Sequence, residues 1–422
     1  MTASPTFDVE ALRADFPILD RQVNGHPLAY LDSAATSQRP VQVEEAVRAF
    51  TRHSNANISR SVHTLGAEAT EAYEGARARI ARFIGAPAAE EVVFTKNSTE
   101  SINLVAYAFQ NAGVEKGSDP RFILGPGDEI VVTEMEHHAN LVPWQQLAEH
   151  TGATLKWLGI TDAGRLDLSN LDEVVTERTK IVSFVHVSNL LGTINPTEQI
   201  VRRAREVGAL VAIDGSQAVP HLPVDVSAIG ADFYAFTGHK MLGPTGIGAL
   251  WGRSELLAAM PPFISGGSMI ETVTMERTTF AAPPARFEAG TPPIAEAVGM
   301  AAAADYLDKI GMEAVRDHER DLAAYMLRRL GDVDGLTVVG PRDTADRGAT
   351  VSFDIAGVHP HDVGQVLDAD GVAVRVGHHC AKPTCIRFDV NATTRASAYV
   401  YTTTEEIDRL VEALDKVRGV FA

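Results

Sequence analysis

The sequence predicts an α/β protein: a large domain with a mainly parallel sheet of seven-stranded type, followed by a smaller α+β domain. Three observations predict it. From about residue 29 to 290, short apolar runs alternate with helix-like segments. Several runs end abruptly in polar and glycine residues, as buried parallel strands do where they deliver side chains to a site. After a glycine- and proline-rich stretch over 266–292, two helical segments lead into a last hundred residues that mix strands and helices.

The strand candidates of the first part are 28–31, 92–94, 129–133, 154–158, 181–187, 210–213, 233–236 and 248–251. Helical patterns such as 196–207 lie between most of them, which argues for a parallel sheet covered on both faces. Residues 266–292 read as a long functional loop, because long unstructured connections are otherwise uncommon in compact domains. An alanine-rich helix follows at 294–310 and another at 312–330. The smaller domain has strands at 349–353, 372–376 and 396–400, and helices at 361–369 and 404–417. The expected division is an N-terminal segment, 1–28, packing with the small domain; a large domain, 29–292; and a small domain, 293–422. No internal repeat or low-complexity tract interrupts this plan.

A chain of 422 residues can bury a large core. Its 45% apolar and 22% charged content is that of a soluble globular protein. The net charge of −18 argues against a nucleic-acid surface. No run reaches membrane-span length and no signal-peptide pattern is seen, so no membrane association is expected. Two cysteines cannot make a disulfide framework, and a cytoplasmic location is expected.

The chemistry begins with Asp214 and Lys240. Each follows a strand-like run, so neighbouring strand ends can offer a carboxylate and an amine to one ligand. Pyridoxal phosphate requires that pair: an amine for the imine linkage, and a carboxylate to hold the pyridine nitrogen protonated. An ordinary ion pair plus a surface lysine is the plainer alternative. A third segment adds an anion site. The run 92–94 leads into a polar turn and a helical stretch beginning near Ser98 and Thr99. Helix N–H groups and these hydroxyls suit a phosphate, although Ser and Thr also serve as simple caps.

His137 and His138 follow the run 129–133, where an imidazole can stack on a pyridine ring. A metal is not expected, because no Cys/His/Asp set with ligand spacing surrounds the pair. Cys380 lies in Gly377-His378-His379-Cys380-Ala381, a segment expected to be a loop with an exposed thiol. Adjacent histidines and basic residues favour the thiolate. Cys385 lies five residues on; sequence alone leaves open a disulfide between the two, or a metal held with His378 and His379, although the spacing fits no common zinc pattern. Arg395 is expected at the start of a strand, where its guanidinium can grip a carboxylate with two parallel bonds.

Together these segments resemble the cysteine desulfurases of the class V aminotransferase family, specifically the SufS-type (group II) branch. The resemblance runs almost end to end, from Arg13-Ala14-Asp15-Phe16-Pro17 through Glu136-His137-His138-Ala139-Asn140. It is most specific at Gly238-His239-Lys240-Met241-Leu242-Gly243-Pro244, at Arg286-Phe287-Glu288-Ala289-Gly290-Thr291-Pro292 and at Arg375-Val376-Gly377-His378-His379-Cys380. It implies a fold-type I pyridoxal-phosphate enzyme acting as a homodimer. By that resemblance Lys240 bonds the cofactor, Asp214 holds the pyridine nitrogen, Gln217 the phenolic oxygen, and His137 stacks on the ring. Ser98, Thr99, Thr237 and His239 hold the phosphate, with Thr291 reaching across from the other subunit. Asn189 and Arg395 hold the substrate carboxylate, and Arg375 stands beside the reactive loop.

The implied reaction converts L-cysteine to L-alanine and leaves a persulfide on Cys380. A SufE- or SufU-like protein, or a pathway-specific carrier, would accept the sulfur for iron–sulfur clusters or another product. Selenocysteine lyase, and epimerase or aminotransferase relatives, are the alternatives. The chain departs from the family pattern at Ser59-Arg60-Ser61, at Lys382-Pro383-Thr384-Cys385 and at Tyr401-Thr402-Thr403.

Overall fold

The computed structural model describes residues 7–59, 62–115 and 117–421. Arg60 and Ser61 of the first departure therefore lie outside the described residues. Seven strands form the central sheet, in the order Val92–Thr95, Gly248–Gly252, Phe233–Thr237, Leu210–Asp214, Thr179–Val185, Glu129–Thr133, Thr154–Leu158. Only Gly248–Gly252 runs antiparallel to its neighbours; the others share one direction. Most of these strands are buried along their whole length, which is why the sequence shows continuous apolar runs instead of alternation. Two apolar cores lie on the sheet's faces.

One strand candidate belongs elsewhere. Residues 28–31 were expected in the large-domain series, yet Ala29–Tyr30 pairs in parallel with Val372–Ala373. Ala29 and Leu31 then enter the small domain's core. The N-terminal segment lies on that side too: Arg13 bonds Glu406 at 3.1 Å and Asn24 bonds the carbonyl of Asp368 at 2.7 Å. The helix Ile294–Ile310, expected with the small domain, instead packs on the helices Val41–His53 and Thr64–Phe83. Its buried side chains, Met300 and Leu307 among them, belong to the larger core.

The small sheet is antiparallel, in the order Leu336–Val339, Thr350–Ile355, Thr393–Ser397, Arg375–Gly377. The helices Met312–Gly331 and Pro360–Ala369 cover it, and Thr404–Phe421 packs on both helices and on the Ala29–Tyr30 and Val372–Ala373 pair. The run expected as one strand over 372–376 is divided between two pairings, with Val374 between them. The loop expected over 266–292 contains a hairpin, Ile270–Val273 with Thr278–Phe280, that buries none of its residues. Among the described residues no helix is long and apolar enough to cross a membrane.

Candidate active site

Parallel strands bring their carboxyl ends to one edge of the sheet, and that edge is where an open α/β sheet binds ligands. Five ends converge here. Thr95 leads to Ser98, Thr133 to His137, Val185 to Asn189, and Thr237 to Lys240, while Asp214 is itself a strand's last residue. The small domain closes the site with Arg375, Cys380 and Arg395. One cavity of about 210 Å³ is lined by all of these except Thr95 and Thr133, and by Thr99, Gln217 and His239. Twelve of the thirteen residues expected from sequence thus meet in one place. The thirteenth, Thr291, is exposed, follows Gly290 in the left-handed region, and does not line this cavity.

The anion end is a helix start. Asn97 caps Ser98–Ala112 by accepting from the Glu100 N–H at 3.0 Å. The helix's first N–H groups lack intrahelical partners and carry the positive end of its dipole. A Cβ on Gly248 would come within 2.6 Å of the Asn97 Cα. Glycine at this position is what lets the neighbouring strand support the turn.

Asp214 is buried. Ser216 Oγ donates to its Oδ1 at 2.5 Å, and Ser216 N–H donates to the same oxygen at 2.9 Å. That hydroxyl also lies 2.8 Å from Ser98 Oγ, so the carboxylate and the helix start share a partner. Gln217 is held by donation to the carbonyl of Ala34 at 2.7 Å. Burial pushes the Lys240 ammonium down to about 8, with Asp214 acting in the opposite direction. A fraction of the amine is therefore neutral, and nucleophilic, near physiological pH.

His137 accepts from the Ala139 N–H through Nδ1 at 3.0 Å, and burial pushes its pKa down to about 4. The turn that presents it stands on a buried polar network. Thr133 and Asn140 donate to Glu136 at 2.5 and 2.6 Å, and the Val185 N–H donates to it at 3.0 Å. Burial raises the Glu136 carboxyl to about 8.

Arg395 is not at the start of a strand but in the middle of Thr393–Ser397, and it is fully buried. It donates to the Asn189 carbonyl at 2.9 Å and to Asp32 at 3.3 Å. Its Nε and the Asn189 Oδ1 are buried without protein partners. Unpaired buried polar atoms are uncommon and mark a place for a polar ligand. Arg375 is half exposed and its guanidinium lies 3.8 Å from Asp32.

Cys380 is half-buried, on a turn between Arg375–Gly377 and the short helix Lys382–Arg387. Cys385 lies on that helix, fully buried, and both thiols are free. The open question of a Cys380–Cys385 disulfide is thereby answered in the negative. Among the described residues no group of three or more His, Cys, Asp or Glu is placed to hold a metal.

The donor set fits pyridoxal phosphate. A helix N-terminus with two hydroxyls meets a phosphate, a buried carboxylate meets a pyridine nitrogen, and an enclosed amine meets an aldehyde. Sequence reasoning missed Asp32, Ser216 and Glu136. Glu136 stands next to His137 and Ser216 is two residues from Asp214, yet their partners, like that of Asp32, are fixed only by folding.

Fold and site together define a class of protein. The chain belongs to the Aminotransferase class-V family, whose model matches residues 29–410; members of this family use pyridoxal phosphate. Within it, a probable cysteine desulfurase of Streptomyces coelicolor is 59% identical over the full length of both chains. A probable cysteine desulfurase of Mycobacterium leprae is 57% identical over 100% of this chain and 99% of its own. The solved apo structure of a cysteine desulfurase from Thermococcus onnurineus superposes with a TM-score of 0.91 at 38% identity, covering 99% of this chain and all of its own.

Proposed function

We propose that this chain is a pyridoxal-phosphate-dependent cysteine desulfurase of the SufS-type branch, which converts L-cysteine to L-alanine. The observation that carries the reading is one cavity lined by both an enclosed amine, Lys240, and a half-buried thiol, Cys380. A transaminase or epimerase needs the first but not the second.

Pyridoxal phosphate would supply an aldehyde and an electron-accepting ring. Lys240 would hold it, with Asp214 at the ring nitrogen, Gln217 at the phenolic oxygen and His137 on the ring face. Ser98, Thr99, Thr237 and His239 would hold its phosphate. Thr291, exposed in the single chain, would complete that set across a homodimer. Arg395 would receive the cysteine carboxylate, because its Nε is a buried donor still unpaired, and Asn189 would add the second N–H of the amide that already bonds His379. Arg375 guards the entrance beside Cys380. Lys240 accepts the Cα proton, and its lowered affinity for protons suits a base working near neutral pH. The Cys380 thiolate attacks the substrate sulfur, so an S–S bond forms as the C–S bond breaks. The β-carbon keeps the electron pair of that bond and takes up a proton, and Lys240 returns a proton to Cα, giving alanine and a Cys380 persulfide.

The persulfide passes to a SufE- or SufU-like acceptor in the cytoplasm, for iron–sulfur or other sulfur-containing products. The test is turnover of the cofactor-loaded protein on L-cysteine and on L-selenocysteine. Alanine release from cysteine that depends on Cys380 supports the reading. Release from selenocysteine alone would replace it with a selenocysteine lyase.

A further inference from the structure

We propose that His138 is a positioning residue that holds the reactive loop in place by bonding it on both sides of Cys380. Its main-chain N–H donates to the Cys380 carbonyl at 2.7 Å, and its imidazole Nε2 accepts from the Lys382 N–H at 3.2 Å. The proposal rests on the reading of Cys380 as nucleophile, but its geometry stands apart from any turnover.

The loop needs such a hold. His379 and Cys380 have φ of 51° and 56°, two successive left-handed residues that are not glycine. Side chains with a Cβ disfavour that conformation, so surrounding contacts must maintain it. Within the loop, the Ala381 N–H donates to the His378 carbonyl at 2.8 Å, and the Cys380 N–H donates to His378 Nδ1 at 3.3 Å. From outside, Asn189 bonds the His379 carbonyl at 2.7 Å and Thr384 bonds the Glu134 carbonyl at 2.9 Å. Of these outside contacts, only His138 bonds Cys380 itself, and it holds the chain again two residues on, at Lys382.

The ring can accept at Nε2 only when that nitrogen carries no proton. The surroundings favour this state: the His138 ring is half-buried and lies 5.6 Å from that of His378. Burial, and secondarily His378, disfavour the charged form. His138 also follows His137 directly. A single peptide step thus connects the cofactor side of the cavity to the loop carrying the sulfur acceptor.

The experiment compares the cofactor-loaded wild type with His138→Leu and His138→Gln. Glutamine can place an acceptor oxygen near the Nε2 position; leucine cannot. Hydrogen exchange at the Lys382 amide is measured beside the rate of persulfide formation on Cys380 in one turnover. His138→Leu should raise exchange at Lys382 roughly tenfold, the order expected for one lost hydrogen bond. It should slow persulfide formation, with the KM for cysteine and the bound-cofactor absorbance unchanged. His138→Gln should restore most of both. Wild-type protection of Lys382 in His138→Leu would overturn the proposal, and so would equal losses in both variants, which would make the ring's bulk responsible. If the wild type forms no persulfide, the functional reading fails, and the exchange comparison still decides the clamp.

Discussion

Asn189 donates its side-chain amide to the main-chain carbonyl of His379 at 2.7 Å. Its own main-chain carbonyl accepts from Arg395 at 2.9 Å. One residue at a strand end of the large domain thus ties together the reactive loop and the buried arginine.

Asn189→Ala should therefore damage two functions at once. The His379 carbonyl loses its partner, and the substrate loses a donor. Leaving a buried group unpaired costs about 1–3 kcal/mol. The expected result is a KM for cysteine raised at least severalfold with kcat also lowered, as read by steady-state alanine release. An unchanged KM would remove Asn189 from the substrate site.

Lys240 sets a pH dependence whose sign is fixed. Its ammonium is pushed down to about 8 by burial, and only the neutral amine attacks an aldehyde. Capture of pyridoxal phosphate by cofactor-free protein should accelerate as pH rises and reach half its maximum near pH 8. In Asp214→Asn the stabilising negative charge is gone, so the midpoint should move to lower pH. Turnover should fall steeply for a separate reason, loss of the charge that keeps the pyridine nitrogen protonated. Rapid-mixing absorbance measurements follow the capture. A midpoint near the ordinary lysine value would contradict the buried amine, and near-normal turnover in Asp214→Asn would contradict its role at the ring.

Arg395→Lys tests geometry at constant charge. The guanidinium reaches the Asn189 carbonyl and Asp32 together while leaving Nε unpaired. A single ammonium cannot span the same partners. Affinity for cysteine should drop by roughly tenfold or more, consistent with losing a charge-assisted bond. Titration with a cysteine analogue reads this directly, and wild-type affinity would place the carboxylate elsewhere.

Cys385 is fully buried and packed in the larger core, and burial raises its thiol's pKa. It is placed to pack, not to relay sulfur. Cys385→Ser should keep persulfide formation and transfer at wild-type rates. It should lower stability by about 1–3 kcal/mol, because a buried hydroxyl needs a partner. Slower transfer to an acceptor with unchanged stability would instead make Cys385 a sulfur relay.

Much of the site could be read from sequence because strand ends announce themselves. Asp214, Lys240 and Ser98 each follow a continuous apolar run that stops at polar residues. What could not be read depends on contacts between distant segments. Asp32 pairs with Arg395, 363 residues away, and nothing near Asp32 marks that partner. Ala29–Tyr30 looks like any other short apolar strand, and only its pairing with Val372–Ala373 assigns it to the small domain. The strand Leu336–Val339 went unrecognised because it is a short, partly exposed edge. His138 shows the same limit at the scale of a bond. The sequence displays a histidine pair, whereas the grip on Lys382 spans 244 residues.

The most direct measurement is the mass of the Cys380 peptide after the cofactor-loaded protein meets L-cysteine without reductant. One added sulfur on that peptide, matched by one alanine released, is the expected result. An unmodified Cys380 peptide accompanied by alanine, or added sulfur on the Cys385 peptide of Cys380→Ser, would contradict the account.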